Sequence, residues 1–158
     1  MDRITSQQLL TRLTLSQLES ASVFGALPEA SILWLLDHGV IRNFNAGDEL
    51  FSPDQAGNSF HVILQGSVDY YKFHDGRYAY IRTFNSGEQI GFVSMIALHD
   101  RVGRAEACEA GISLEINSET FHDFHLSYPL EFGILMMNLA REMARTLRKT
   151  NNILVDRS

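Results

Sequence analysis

Hydrophobic and polar positions change period twice along the chain. Over residues 5–39 apolar side chains recur at helical spacing: Leu9, Leu10, Leu13 and Leu18, then the run LPEASILWLLDHG. This run reads as a short helix. Pro28 suits its first position, Glu29 favours its positive end, and Gly39 is expected to close it in the left-handed conformation. From about 40 to 118 the period shortens to that of strands. Turn signals arrive at Asn45–Asp48, Ser52–Asp54, Gly57-Asn58, Gly66, Asp75-Gly76 and Ser86-Gly87. FHVIL (60–64) is apolar and β-branched. SVDYYKF (67–73) and RYAYIRTF (77–84) flank His74-Asp75-Gly76, a tight hairpin signal. In the second of these, Tyr78, Tyr80, Arg82 and Phe84 alternate with Arg77, Ala79, Ile81 and Thr83. From 119 to 158 the helical period returns. Ser118 is a candidate N-cap. After Pro129, Phe132, Met136, Leu139, Met143, Leu147, Thr150 and Leu154 recur at steps of three and four.

This order predicts an α+β domain: N-terminal helices over 1–39, a β region over 40–118 built as a sandwich, jelly roll or barrel, and C-terminal helices over 119–158. A helix of roughly 26 residues spans about 39 Å, longer than a small barrel needs as a cover. Its apolar stripe is therefore read as a seam with a second copy, a homodimer through Met136, Leu139, Met143 and Leu147.

The 158 residues suffice for one domain with its own core. No apolar run approaches a bilayer span and the N-terminus lacks a signal-peptide core, so a cytoplasmic chain without membrane association is expected. Cys108 is the sole cysteine. It permits no internal disulfide and no Cys-rich metal site, and reads as a small buried residue on a strand. The formal charge of −6 argues against general nucleic-acid affinity, so no direct DNA binding is expected. Residues 129–158 carry five basic side chains against three acidic ones, a net +2, which leaves −8 for the rest. Basic residues near a helix C-terminus suit the macrodipole.

Catalytic motifs do not emerge. Nucleophile elbow, zinc-protease and phosphate-loop patterns are missing, and an enzyme is not expected. His122 and His125 lie three apart on a helix, which leaves a zinc site two ligands short and reads as a solvated face.

The stretch 86–107, SGEQIGFVSMIALHDRVGRAEA, holds the candidate site. With GDELFSPDQAGNSFHVILQGSVDYY (47–71) and the Asp75-Gly76 hairpin, it resembles the cyclic nucleotide-binding domain family, as in the sensor halves of bacterial transcription regulators. The likeness covers about 23–155. It implies a β-roll (a double-stranded, jelly-roll-like β-helix) flanked by N-terminal helices and a long C-terminal helix. It also implies a regulatory ligand sensor whose effector repositions that helix.

The family's phosphate-binding cassette carries a Gly-Glu pair, a short helix and, after a loop, an arginine followed by a small residue. Here it falls on Ile90–Leu98 and Arg104-Ala105. By this alignment Gly91, Phe92, Val93, Ser94, Arg104 and Ala105 are ligand contacts. Arg101 is a second candidate for the anion, because its spacing from Gly91 equals the shorter family loop. A helix N-terminus and an arginine fork both suit a phosphate. Phe92 stands where the family has the ribose-binding Glu. Losing that acceptor costs ~1.5–3 kcal/mol, so weak or no binding of cyclic AMP or cyclic GMP is expected. Phe92, Val93 and Met95 line a slot for some other small effector in this reading. Glu88 is placed in the turn before the cassette, exposed. Glu106 points either inwards at Arg104 or to water. No cofactor is certain; a cyclic nucleotide or another small effector is the candidate. The regulators carry a DNA-binding module after the long helix, with no counterpart before Ser158, so the output is assigned to a partner protein or to a longer chain. A ligand-free dimerisation scaffold and the sensor half of a transcription regulator are the alternatives.

Overall fold

Two antiparallel sheets form the β-roll in the computed structural model, which describes all of residues 1–158. The five-stranded sheet runs in the order β1 (Arg3–Ile4), β2 (Val40–Phe44), β9 (Gly111–Asn117), β4 (Ser59–Gln65), β7 (Gln89–Ile90). The four-stranded sheet runs β3 (Glu49–Phe51), β8 (Gly103–Ala107), β5 (Val68–His74), β6 (Arg77–Phe84). The neighbours are mostly not consecutive in sequence, which is how a roll winds two sheets from one chain. Helices α1 (Ser6–Leu10), α2 (Leu15–Glu19) and α3 (Glu29–His38) precede the roll. α4 (Phe92–Ala97) interrupts it, and α5 (Ser118–Ser127) and α6 (Pro129–Asp156) follow.

The continuous apolar character of β4 has a simple cause: both of its faces are buried. Phe60, Val62 and Leu64 enter a core of 23 buried residues that joins the five-stranded sheet to the helices. Ile63 enters a second core of eight residues inside the roll, with Phe44, Phe51, Val68, Ile90 and Ala105. At roughly 1.5–3 kcal/mol per fully buried large apolar side chain, the larger core is the main force docking the helices on the roll.

Several local expectations are corrected. Gly39 is extended rather than left-handed, with φ −79° and ψ −178°. Its reason is space: a Cβ would meet the Leu114 Cδ1 at 2.6 Å and the Glu115 carbonyl at 2.9 Å. Pro28 is the N-cap of α3, one position before the helix. Asn117, not Ser118, caps α5, its Oδ1 accepting from the Thr120 N–H at 2.8 Å. Cys108 is exposed.

A bulge changes the face assignment of β6. Tyr70 pairs with Arg82 but Tyr71 pairs with Tyr80, so Ile81 is the extra residue. One inserted residue inverts the phase of a two-residue period. Tyr78 and Tyr80 therefore lie outside the roll while Arg82 and Phe84 turn inwards.

α6 is 28 residues long, about 42 Å at the α-helical rise. Its first half docks on its own domain. Leu135 and Leu139 are fully buried, and Met136 and Met143 pack partly buried on the same core. Asn138 donates from Nδ2 to the carbonyls of Val23 (3.0 Å) and Gly25 (2.8 Å), fixing the helix at a 3-10 turn over Ser22–Phe24. Three of the four residues expected at a two-chain seam are thus occupied within the chain. No helix is long and apolar enough to cross a membrane.

Candidate functional site

α6 continues past the core and runs alongside the open end of the roll, bounding a partly open cavity of about 890 Å³. Its size falls in the roughly 300–1,000 Å³ range of small-molecule sites. The roll contributes Phe51, Tyr70, Lys72, Arg82 and Phe84; the cassette region contributes Gly91, Val93, Ser94 and Val102; α6 contributes Glu142, Met143, Thr146, Leu147 and Lys149.

α4 starts directly after Gly91, whose φ of 99° belongs to the left-handed region. A Cβ there would meet the Arg101 Nη1 at 2.7 Å. The arginine lies that close because it is bound to the cassette. Arg101 is 3% exposed. It donates from Nη1 to the Gly91 carbonyl at 2.8 Å and from Nη2 to the carbonyl and hydroxyl of Ser59. Its guanidinium stacks over Phe51 at 4.2 Å. Burial lowers its pKa, and the charge of Glu115 opposes that shift. At the start of α4 the Phe92 N–H donates to the Gln89 Oε1 at 3.2 Å. Both terminal nitrogens of Arg101 and the Phe92 N–H are therefore engaged within the chain, while the buried Arg101 Nε has no partner.

The remaining sequence candidates divide. Gly91, Val93 and Ser94 line the cavity. Phe92 does not: it is fully buried in the helical core, edge-on to Phe60 (5.4 Å) and Phe121 (5.9 Å). Met95 joins the same core. Arg104 is on the outer face of the four-stranded sheet, because it pairs with Tyr71 while Ala105 pairs with Tyr70. There its guanidinium sits 4.8 Å from the Tyr71 ring and 4.6 Å from the Tyr78 ring, with the Glu106 carboxylate 3.3 Å away. Glu106 thus shares the outer face. Ala105 is fully buried inside the roll. The structure puts Gly91, Val93 and Ser94 on the cavity wall, with Arg101 bonded to Gly91, and turns the side chains of Phe92 and Arg104 away from the cavity.

Three cavity features escaped the sequence reading. Glu88 is half-buried and ion-paired with Arg82, rather than exposed in a turn. Arg82 also donates from Nη1 to the Thr146 Oγ1 at 3.0 Å, tying the roll to α6. Glu142 accepts from the Ser22 hydroxyl at 2.7 Å. Burial raises the Glu142 carboxyl above the usual range, with hydrogen bonds from Ser22 and the Gln89 N–H working against it. The alternation of β6 would have shown Arg82 facing inwards had the bulge at Ile81 been visible.

Beside the cassette lies a second polar cluster. His61 is 3% exposed. Its Nε2 is 3.6 Å from the Glu115 carboxylate, which Arg42 (2.7 Å) and the Ser59 hydroxyl (2.8 Å) also hold. Burial lowers the His61 pKa to about 4, so the ring is neutral at ordinary pH. The Glu115 carboxyl is held below its usual value by its neighbours despite its own burial.

The chain thus combines a β-roll, an N-terminal helical cap, a glycine-led short helix at the mouth and a long helix over a cavity. The chain belongs to the cyclic nucleotide-binding domain family, whose sequence model matches residues 41–128. Similar solved structures share this fold. The catabolite activator protein of Thermus thermophilus is 23% identical with a TM-score of 0.71; the alignment covers 84% of this chain and 61% of that one. A cyclic nucleotide-binding domain from Methylobacillus flagellatus is 14% identical with a TM-score of 0.83, over 99% of this chain and 89% of that one. The sensor domain of the transcriptional regulator DNR from Pseudomonas aeruginosa is 16% identical with a TM-score of 0.67, over 90% and 94%. No curated protein matches the chain.

Proposed function

We propose that this chain is a ligand-sensing regulatory module in which a small effector enters the cavity between the roll and α6 and changes how α6 sits. The observation carrying this reading is that the cavity is walled jointly by the roll, the cassette and α6. An effector contacting both bodies has differential affinity for their docked and undocked arrangements, which is what a ligand needs in order to shift an equilibrium. Catalysis is not part of the proposal.

Cyclic AMP and cyclic GMP bind weakly or not at all in this reading. Arg101 already serves two backbone carbonyls, Gln89 occupies an N–H at the start of α4, and Phe92, turned into the core, offers the cavity no carboxylate for a ribose. A thermal-shift screen of cyclic mono- and dinucleotides beside haem and small aromatic acids tests the module reading. A non-nucleotide hit abolished by Val93→Trp, which fills the cavity, supports it. A screen with no hit sensitive to that substitution overturns it.

The module acts as a homodimer through α6, by a stripe that shares Leu147 with the one the sequence suggested and otherwise lies beside it. Leu130, Gly133, Met137, Ala140, Ala144, Leu147, Asn151 and Leu154 are all exposed. They follow one another at alternating steps of three and four, the spacing of a coiled-coil seam. Glycine and alanine in the middle permit close approach, and a single seam asparagine favours one register. Size-exclusion chromatography with light scattering giving a monomer at tens of micromolar would remove this part of the proposal.

A further inference from the structure

The cavity is cationic in an acidic protein. Its walls carry Lys72, Arg82, Arg145 and Lys149 against Glu88 and Glu142, a net charge of +2, whereas the whole chain carries −6. The two carboxylates are already engaged, Glu88 by Arg82 and Glu142 by Ser22. Lys72, Arg145 and Lys149 form no ion pair. Lys72 comes from β5, on the cavity face beside Tyr70; Arg145 and Lys149 lie one helical turn apart on α6. The rings of Phe51, Tyr70 and Phe84 and the side chain of Ile90 give the same cavity an apolar wall.

We infer that the effector is a small amphipathic organic anion. Its aromatic or alicyclic body rests on Phe51, Tyr70 and Phe84, and its acidic group is read by Lys72, Arg145 and Lys149. The inference rests on the reading of the cavity as a ligand site and adds the chemistry of what enters. It moves anion recognition from the cassette to the α6 side, where three cations have no carboxylate of their own. Positive charge concentrated on the wall of a concave site with an apolar lining favours anions over isosteric neutral molecules.

The test pairs two fluorescent probes of similar apolar body, 8-anilino-1-naphthalenesulfonate and neutral N-phenyl-1-naphthylamine. Each is titrated into the intact chain and into R145E/K149E, K72E and V93W variants. The three cations lie on the cavity wall, outside both cores, so their reversal leaves the fold standing, which circular dichroism checks. The anion is expected to bind the unmodified chain about tenfold more tightly than the neutral probe. Arg145→Glu with Lys149→Glu is expected to abolish that preference while leaving the neutral probe unchanged, and Val93→Trp to reduce both. Equal affinities, or a preference that survives charge reversal, overturn the inference while leaving the cavity a ligand site. Binding of neither probe, or binding indifferent to Val93→Trp, overturns the ligand-site reading and the inference with it.

Discussion

Arg101 donates from Nη1 to the carbonyl oxygen of Gly91 across 2.8 Å, so the loop arginine holds the cassette's own backbone. Removing the guanidinium would leave buried carbonyls of Gly91 and Ser59 without this donor. Arg101→Met, which keeps much of the stem, is expected to cost about 3 kcal/mol, or roughly 10 °C in a protein of this size. Arg104→Met, on the outer face, is expected to cost less than about 1 kcal/mol. Thermal melts by circular dichroism compare the two directly. Equal effects would contradict the division of roles.

Phe92 is a core residue, and its substitution reads as one. Phe92→Ala is expected to destabilise by about 3–5 kcal/mol. Phe92→Glu places a carboxylate among Phe60, Phe121 and Met95 and is expected to prevent folding rather than to create affinity for cyclic AMP. A folded Phe92→Glu protein with new nucleotide binding would show that the ring faces the cavity.

His61 makes stability depend on pH. Its pKa is about 4 in the folded chain, against about 6.5 when unfolded, so the unfolded chain takes the proton first. Its contribution is full above pH 6.5, falls as pH drops towards 4, and then levels, a loss of about 3 kcal/mol. Glu115, held below its usual value, adds a further loss at still lower pH. Urea unfolding between pH 7 and 4 is expected to show a falling midpoint in the unmodified chain, and a flatter profile over that window in His61→Leu.

Substitutions on the two faces of α6 are expected to separate folding from association. Met137→Glu, on the exposed stripe, is expected to convert dimer to monomer with little change in the melting of the isolated fold. Leu139→Ala, on the buried face, is expected to cost about 2–5 kcal/mol. Light scattering and thermal melts read the two effects independently.

The fold was legible because its signals are local. The change of period at 40 and 118, the Asp75-Gly76 turn and the Pro129 helix start each depend on a few neighbouring residues. The cavity was less legible because its walls are set by register. A single extra residue at Ile81 turns Arg82 inwards and leaves Tyr80 outside, and no residue pattern announced the bulge. Arg104 looked like the anion contact because Ala105 follows it; strand alternation sends that arginine to the outer face once Ala105 is inside. Glu88 sits in a turn by sequence, yet α6 and Arg82 cover it. On α6 the more apolar series, Met136, Leu139 and Met143, packs on the domain's own core. The alternating series with glycine, alanines and Asn151 is weaker in hydrophobicity and is the one left outside.

This member of the family keeps the cavity while its loop arginine, Arg101, is bound to the carbonyls of Gly91 and Ser59. Isothermal titration calorimetry with cyclic AMP and cyclic GMP tests it most directly. The expected result is no measurable heat of binding, or a dissociation constant weaker than about 10 μM, corresponding to roughly 7 kcal/mol. A sub-micromolar constant for either nucleotide, lost on Arg101→Met in a protein that remains folded, would contradict the account.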